Sequence, residues 1–363
     1  MTRKHIFVSA GIAVIVIAAA VTVLTVNNKN LQANNKQSSS TSVSNSLKTN
    51  NKQQNCFLTV VTCDLNNMMK YYRYNPLTGE KKLLMKLPEE CFPTATVSND
   101  GKTLYYSYRT KENYMELFQR NLDTGKVKQL TFPKDNIVDV DFMQPDYQHN
   151  QLYLRVQKTN EESFKIAKYN IKSNEVTILN KSNNDLSDQF FDYCPGTNKL
   201  FTVEHSQSEH DKIMDEEAKT QRFGKSASFS CLLKDTQGNV IKKLFAMNRY
   251  IGNTQISADG KHILYQVSAE NTKGDTDLKV IYQDTGTNNS KVLYSEGFNG
   301  TKEIPQLGLT SDGKKAYLIM SVDSKYNSQK LMYGLFYIDI DNPSIKKSLV
   351  FDKETVLSFT LED

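Results

Sequence analysis

The sequence predicts an all-β fold, a six-bladed β-propeller closed by its own C-terminal strand. Three observations carry this. An inner turn recurs as Ser98-Asn-Asp-Gly-Lys102, Ser257-Ala-Asp-Gly-Lys261 and Thr310-Ser-Asp-Gly-Lys314, each followed at once by an apolar strand. An outer turn recurs at 75–84, 121–130, 170–179, 234–244, 283–293 and 339–349, which implies six four-stranded units. The first unit has three strands and no innermost one, whereas Thr355–Leu361 ends the chain as a strand without a sheet. A ring in which the last strand completes the first sheet removes the edges that otherwise invite aggregation.

The clearest unit runs from Thr94 to Thr131: strands at Thr94–Ser98, Thr103–Arg109, Met115–Leu122 and Val127–Thr131, joined by tight turns. Asp-Gly and Thr-Gly suit these turns because Gly accepts positive φ and Asp bonds its own backbone. Degenerate inner turns at Gln148-His-Asn-Gln151 and Pro195-Gly-Thr-Asn-Lys199 mark blades three and four. The expected blades are 55–88 with 355–361, then 94–132, 138–181, 189–247, 253–295 and 305–352. At roughly fifty residues each they fit propeller blades with their loops.

At these residues the chain resembles the TolB-like group of propeller repeats, whose hallmark is Ser-x-Asp-Gly-Lys followed by an apolar strand. The resemblance spans 55–363 and is strongest in blades two, five and six. It departs from the pattern in usually lacking a Pro before Asp-Gly and in having no Trp. It implies a bacterial binding or scaffolding propeller, with catalysis usually supplied by an additional domain.

Ahead of the propeller, Ile6–Val26 is 21 residues without a charge, preceded by Arg3 and Lys4. About 20 such residues cross a bilayer as a helix, so residues 1–26 are expected to be a signal-anchor. The rival is a signal peptide, whose apolar region runs about 7–15 residues; the protein would then be secreted after cleavage. Residues 27–54, rich in Asn, Ser, Lys and Gln, cannot bury enough surface to fold and read as a flexible tether. The propeller is expected outside the cytoplasmic membrane, held by a single pass.

The net charge of +5 comes from this leader. Its first 52 residues hold six of the 45 basic residues and no acidic one, leaving 39 basic against 40 acidic in the rest. Without a basic stripe, nucleic acid is not an expected partner. The cysteines (Cys56, Cys63, Cys91, Cys194, Cys231) are odd in number with no Cys-x-x-Cys, and buried free thiols are expected.

Aligned on their inner turns, the innermost strands put Thr96, Asp141, Asp192, Gln255, Gly308 and Thr360 at one level of the channel. Thr94, Asp139, Phe190, Asn253, Gln306 and Ser358 lie two residues earlier. Val97, Phe142, Tyr193, Ile256, Leu309 and Leu361 are expected between blades. Asp139, Asp141 and Asp192 are the candidate metal ligands, a hard oxygen set of the kind Ca²⁺ takes, with Asn253 and Gln255 nearby. No other cofactor is expected. Wet channel walls satisfied by water are the plainer reading of the same residues. The stretch 204–225 is the one large departure from the repeat. Glu204, His205, Glu209 and His210 look ligand-like, but the histidines are five apart rather than four, unlike a helical zinc site. The expectation is a solvated loop, or a short helix capped by Ser206 or Ser208, that contacts a partner. Tyr105, Tyr106, Tyr108, Tyr153 and Tyr265 read as core rather than as a sugar platform.

The expected function is a non-catalytic scaffold binding an envelope protein or polymer. The alternative is a hydrolase or lactonase using a channel metal on Asp139, Asp141 and Asp192. A sensor of a small solute, with Asn253 and Gln255 as contacts, is a third.

Overall fold

The structure, a computed structural model, describes residues 56–88, 93–179, 183–222, 224–270, 276–296, 304–322, 332–351 and 353–362. The expected anchor and tether (1–54) and Cys91 lie outside them. Among the described residues no helix is long and apolar enough to cross a membrane. These residues form twenty-four strands and one α-helix.

Blade one begins with β1 (Leu58–Asp64), β2 (Met68–Tyr74) and β3 (Lys81–Pro88). Blade two is β4 (Ala95–Val97), β5 (Thr103–Arg109), β6 (Met115–Asn121) and β7 (Val127–Gln129). Blade three is β8 (Ile137–Asp146), β9 (Gln151–Lys158), β10 (Phe164–Asn170) and β11 (Glu175–Ile178). Blade four is β12 (Leu186–Cys194), β13 (Lys199–Ser206), β14 (Phe229–Lys234) and β15 (Val240–Met247), with α1 (Gln207–Thr220) between β13 and β14. Blade five is β16 (Tyr250–Ile256), β17 (His262–Glu270), β18 (Thr276–Asp284) and β19 (Ser290–Glu296). Blade six is β20 (Leu307–Leu309), β21 (Lys315–Ser321), β22 (Tyr333–Asp339) and β23 (Ile345–Leu349). Finally β24 (Glu354–Leu361) pairs antiparallel with β1, from Leu58 opposite Leu361 to Asp64 opposite Glu354, and supplies the missing innermost strand.

Each residue of the inner-turn motif has a job. In blade two the Ser98 hydroxyl donates to Asp100 Oδ1 (2.6 Å) and accepts the Thr103 N–H (2.9 Å), while Asp100 Oδ1 also takes the Lys102 N–H (3.0 Å). Gly101 sits at φ 71°, where a side chain is strained. Ser257 with Asp259 and Thr310 with Asp312 repeat the pattern. The motif therefore closes each hairpin from within, which is why it precedes an apolar strand wherever it occurs.

Packing obeys the same six-part plan. There are six buried apolar clusters, one per seam between adjacent blades, from Leu58, Tyr317 and Phe359 at the closing seam to Tyr153, Phe191 and Leu200 between blades three and four. Val97, Phe142, Tyr193, Ile256, Leu309 and Leu361 all lie in these clusters. Tyr105, Tyr106, Tyr153 and Tyr265 are buried core residues. Cys194 and Cys231 are buried free thiols; Cys63 is buried and Cys56 part-buried.

Candidate functional site

The innermost strands set the channel wall, and their register decides which side chains share a level. Ladder pairing puts Thr96, Asp192, Gln255, Gly308 and Thr360 at equivalent positions, opposite Tyr105, Phe201, Leu264, Tyr317 and Thr59. In blade three the equivalent residue is Gln144, opposite Tyr153, and not Asp141. The cause is β8 itself. Its ten residues face the eight of β9 through two register shifts, at Ile137/Asp139 and Val140/Phe142. A bulge inserts an unpaired residue and re-aims the side chains beyond it, so the plain alternation Val-Asp-Val-Asp-Phe is misleading.

Asp141 is held by Arg155 of β9, with Nε donating to Oδ1 (2.8 Å) and Nη2 to Oδ2 (2.5 Å). Arg155 is clamped in turn between the Phe164 and Phe190 rings, each 4.6 Å from its guanidinium carbon, and its Nη1 donates to the Gln189 carbonyl of blade four. Asp139 lies deeper. Its Oδ1 is buried with no hydrogen-bond partner, and burial pushes the carboxyl up to about 7, with the Asp141 charge adding to the effect. Asp192 Oδ2 accepts the Ile256 N–H at 2.7 Å. Among the described residues no three His, Cys, Asp or Glu side chains are grouped so as to hold a metal ion. Asp139, Asp141 and Asp192 are therefore not brought together as a ligand set, which corrects the sequence alignment.

Several polar groups beside the channel tie one blade to the next. The Tyr147 hydroxyl of blade three donates to the Val97 carbonyl of blade two (2.6 Å). Arg155 joins blade three to four, and Asp192 joins four to five. Asn253 Nδ2 donates to the Pro305 carbonyl across the next seam (2.7 Å). Gln306 Nε2 donates to the Phe359 carbonyl (2.7 Å) while its Oε1 takes the Phe359 N–H (3.0 Å). Five of the six seams thus carry a side-chain bond beside the channel among the described residues. Gln255 turns to its own strand, donating to the Thr254 carbonyl (2.9 Å). Thr96 faces the Tyr147 hydroxyl (3.4 Å), and Thr360 is buried. What stays open is a cavity of about 230 Å³ at the inner-turn mouth, lined by Gln144, Tyr147, Asp192 and Gln255 among others.

The departure in blade four is not a loop. Ser206 caps α1, its hydroxyl accepting the Glu209 N–H (3.1 Å), and Asp185 binds the Ser206 hydroxyl and the Ser208 N–H (2.7 and 2.8 Å). Glu204 and His205 belong to β13 and are buried, so only Glu209 and His210 ride on the helix. His205 sits in an aromatic slot, 5.3 Å from the His210 ring and 4.9 Å from that of Phe229. Burial pulls its imidazole down to about 4, with His210 adding to the effect.

No protein-family model matches the chain, and no curated protein matches it in sequence. Solved structures do match in shape. TolB from Acinetobacter baumannii superposes with a TM-score of 0.56 at 13% identity, over 85% of this chain and 66% of that one. Its fold is TolB-like. The chain of a nidogen/laminin complex gives 0.54 at 11% identity, over 84% of this chain and 98% of that one. The propeller domain of the Trilobed protease from Pyrococcus furiosus gives 0.45 at 14% identity, over 82% and 80%. At these identities the likeness concerns the fold alone.

Arg155 and Tyr147 were not legible as functional from the sequence. The signal for Arg155 was present: a lone cation inside the apolar strand Leu-Tyr-Leu-Arg-Val.

Proposed function

We propose that this TolB-like propeller is a non-catalytic binding scaffold that meets an envelope protein or polymer through the rim carrying α1. The observation that carries the reading is α1, the one α-helix among the described residues, inserted into an otherwise repeating frame with apolar side chains exposed on its rim. Leu65, Phe132, Met214 and Val322 are exposed in connections on the α1 rim, Met214 on α1 itself; on the inner-turn rim Leu77 is exposed in a turn and Val127, Val240 and Ile345 at strand starts beside the outer turns, among the described residues. Departures from a repeat that project from a rigid frame are where partner contact concentrates. The chain enters the ring at Phe57 and leaves it at Glu362, both on the inner-turn rim. The hydrolase reading is disfavoured because Asp141 and Asp192, two of its three ligands, are engaged by Arg155 and the Ile256 N–H.

Site-directed photo-crosslinking in intact cells tests the reading. A crosslinker replacing Met214 is expected to trap a discrete adduct that the same group at Leu77 does not. Equal trapping from both rims, or none from Met214, overturns it.

A further inference from the structure

Between blades three and four lies a buried cluster of charge that neither the fold plan nor the proposed binding rim uses. Lys234 of β14 touches Glu204 of β13, and its Nζ stands 3.6 Å from Asp188 Oδ1 of β12. Asp188 is 0% exposed, Lys234 1% and Glu204 5%, so bulk water is excluded. Asp188 Oδ2 takes the Ile166 N–H (3.2 Å), whereas Oδ1 has no hydrogen-bond partner. The Thr202 hydroxyl donates to Glu204 Oε1 at 3.1 Å. A second buried cation, Lys165, is occupied by the Asn183 and Leu186 carbonyls.

We propose that Lys234 and Glu204 condense to an isopeptide bond, a covalent staple between β14 and β13, with Asp188 carrying the proton. Desolvating each ion of such a cluster costs several kcal/mol, which favours neutral partners over an ion pair. The directions agree: burial lowers the Lys234 ammonium and raises the Asp188 carboxyl. A neutral amine is a nucleophile, and here it is held against a carboxyl group. Nζ attacks Cδ of Glu204 while the Thr202 hydroxyl steadies Oε1. The N–C bond forms and the Cδ–Oε2 bond breaks. Asp188, holding the proton given up by the ammonium, delivers it to Oε2, takes a second proton from nitrogen and passes that to the departing hydroxyl, which leaves as water while Asp188 ends ionised. No oxidant, metal or cofactor enters the balance. The site also suits a staple mechanically. β13 and β14 form the hairpin that α1 interrupts, and a cross-link between 204 and 234 closes that loop of roughly 30 residues, where chain entropy most opposes pairing.

Mass spectrometry of the denatured full-length chain decides. The intact protein is expected about 18 Da below its sequence mass, with Glu204 and Lys234 recovered in one branched tryptic peptide. Lys234→Arg is expected at full mass. Asp188→Ala is expected to keep native circular dichroism yet remain at full mass, with both partners unlinked. Glu204 and Lys234 found in separate peptides of the wild-type chain overturn the proposal. A branched peptide at wild-type yield in Asp188→Ala overturns the part given to Asp188.

Discussion

Arg155 and Asp141 form a two-pronged ion pair inside the wall between blades three and four, at 2.8 and 2.5 Å, with 9% and 8% of their side chains exposed. The pair is part of the ring's fabric, since the same guanidinium also binds a blade-four carbonyl.

Removing one partner leaves the other charge buried and uncompensated, at about 3–5 kcal/mol. Asp141→Ala is expected to lower the urea midpoint accordingly, with an unchanged slope. A midpoint within error of wild type would mean that the pair is solvated and dispensable.

Closure makes the second prediction. β24 covers the whole edge of β1, and Glu362 locks it, accepting the Thr59 hydroxyl (2.5 Å) and Arg73 Nε (2.8 Å). Deleting residues 354–363 bares an unpaired inner edge, which is a template for another chain. Size-exclusion chromatography is expected to show concentration-dependent association of the truncated protein. A stable monomer with native circular dichroism would contradict the closure.

The third concerns acid. An unfolded imidazole takes its proton near about 6.5, whereas folded His205 resists until about 4. Because the folded pKa is the lower, His205 contributes fully above the unfolded value, and that contribution is lost as pH falls through this window. His205→Phe fills the aromatic slot without a titrating group. It is expected to lose less stability than wild type between pH 6.5 and 4, as read from urea midpoints at both ends. Parallel losses would remove His205 from the acid response.

Much of this architecture was legible because its determinants are local. Ser98, Asp100 and Gly101 make their turn from within five residues, so three copies of the motif located three hairpins, and the orphan strand at Thr355–Leu361 implied closure. The channel was less legible because its determinants are not local. Two bulges in β8 displaced Asp141 from the expected level, and no residue of β8 advertises them. Likewise nothing near Asp141 in sequence shows that it meets Arg155, or near Glu204 that it meets Lys234. Helix α1 was half visible: Ser206 is a good cap, but the helix buries little beyond Gln207 and Glu217, so its sequence reads as solvated.

Asp141 is engaged by Arg155 and Asp192 by the Ile256 N–H, and calcium-dependent melting tests most directly whether the channel carboxylates also hold an ion. The melting temperature is read for the full-length protein and for Asp141→Asn and Asp192→Asn, each in excess calcium and in chelator. Lower melting in both variants is expected, with no calcium dependence in any of the three. Stoichiometric calcium in the wild type that raises its melting temperature, and is lost in both variants, would contradict a purely structural role.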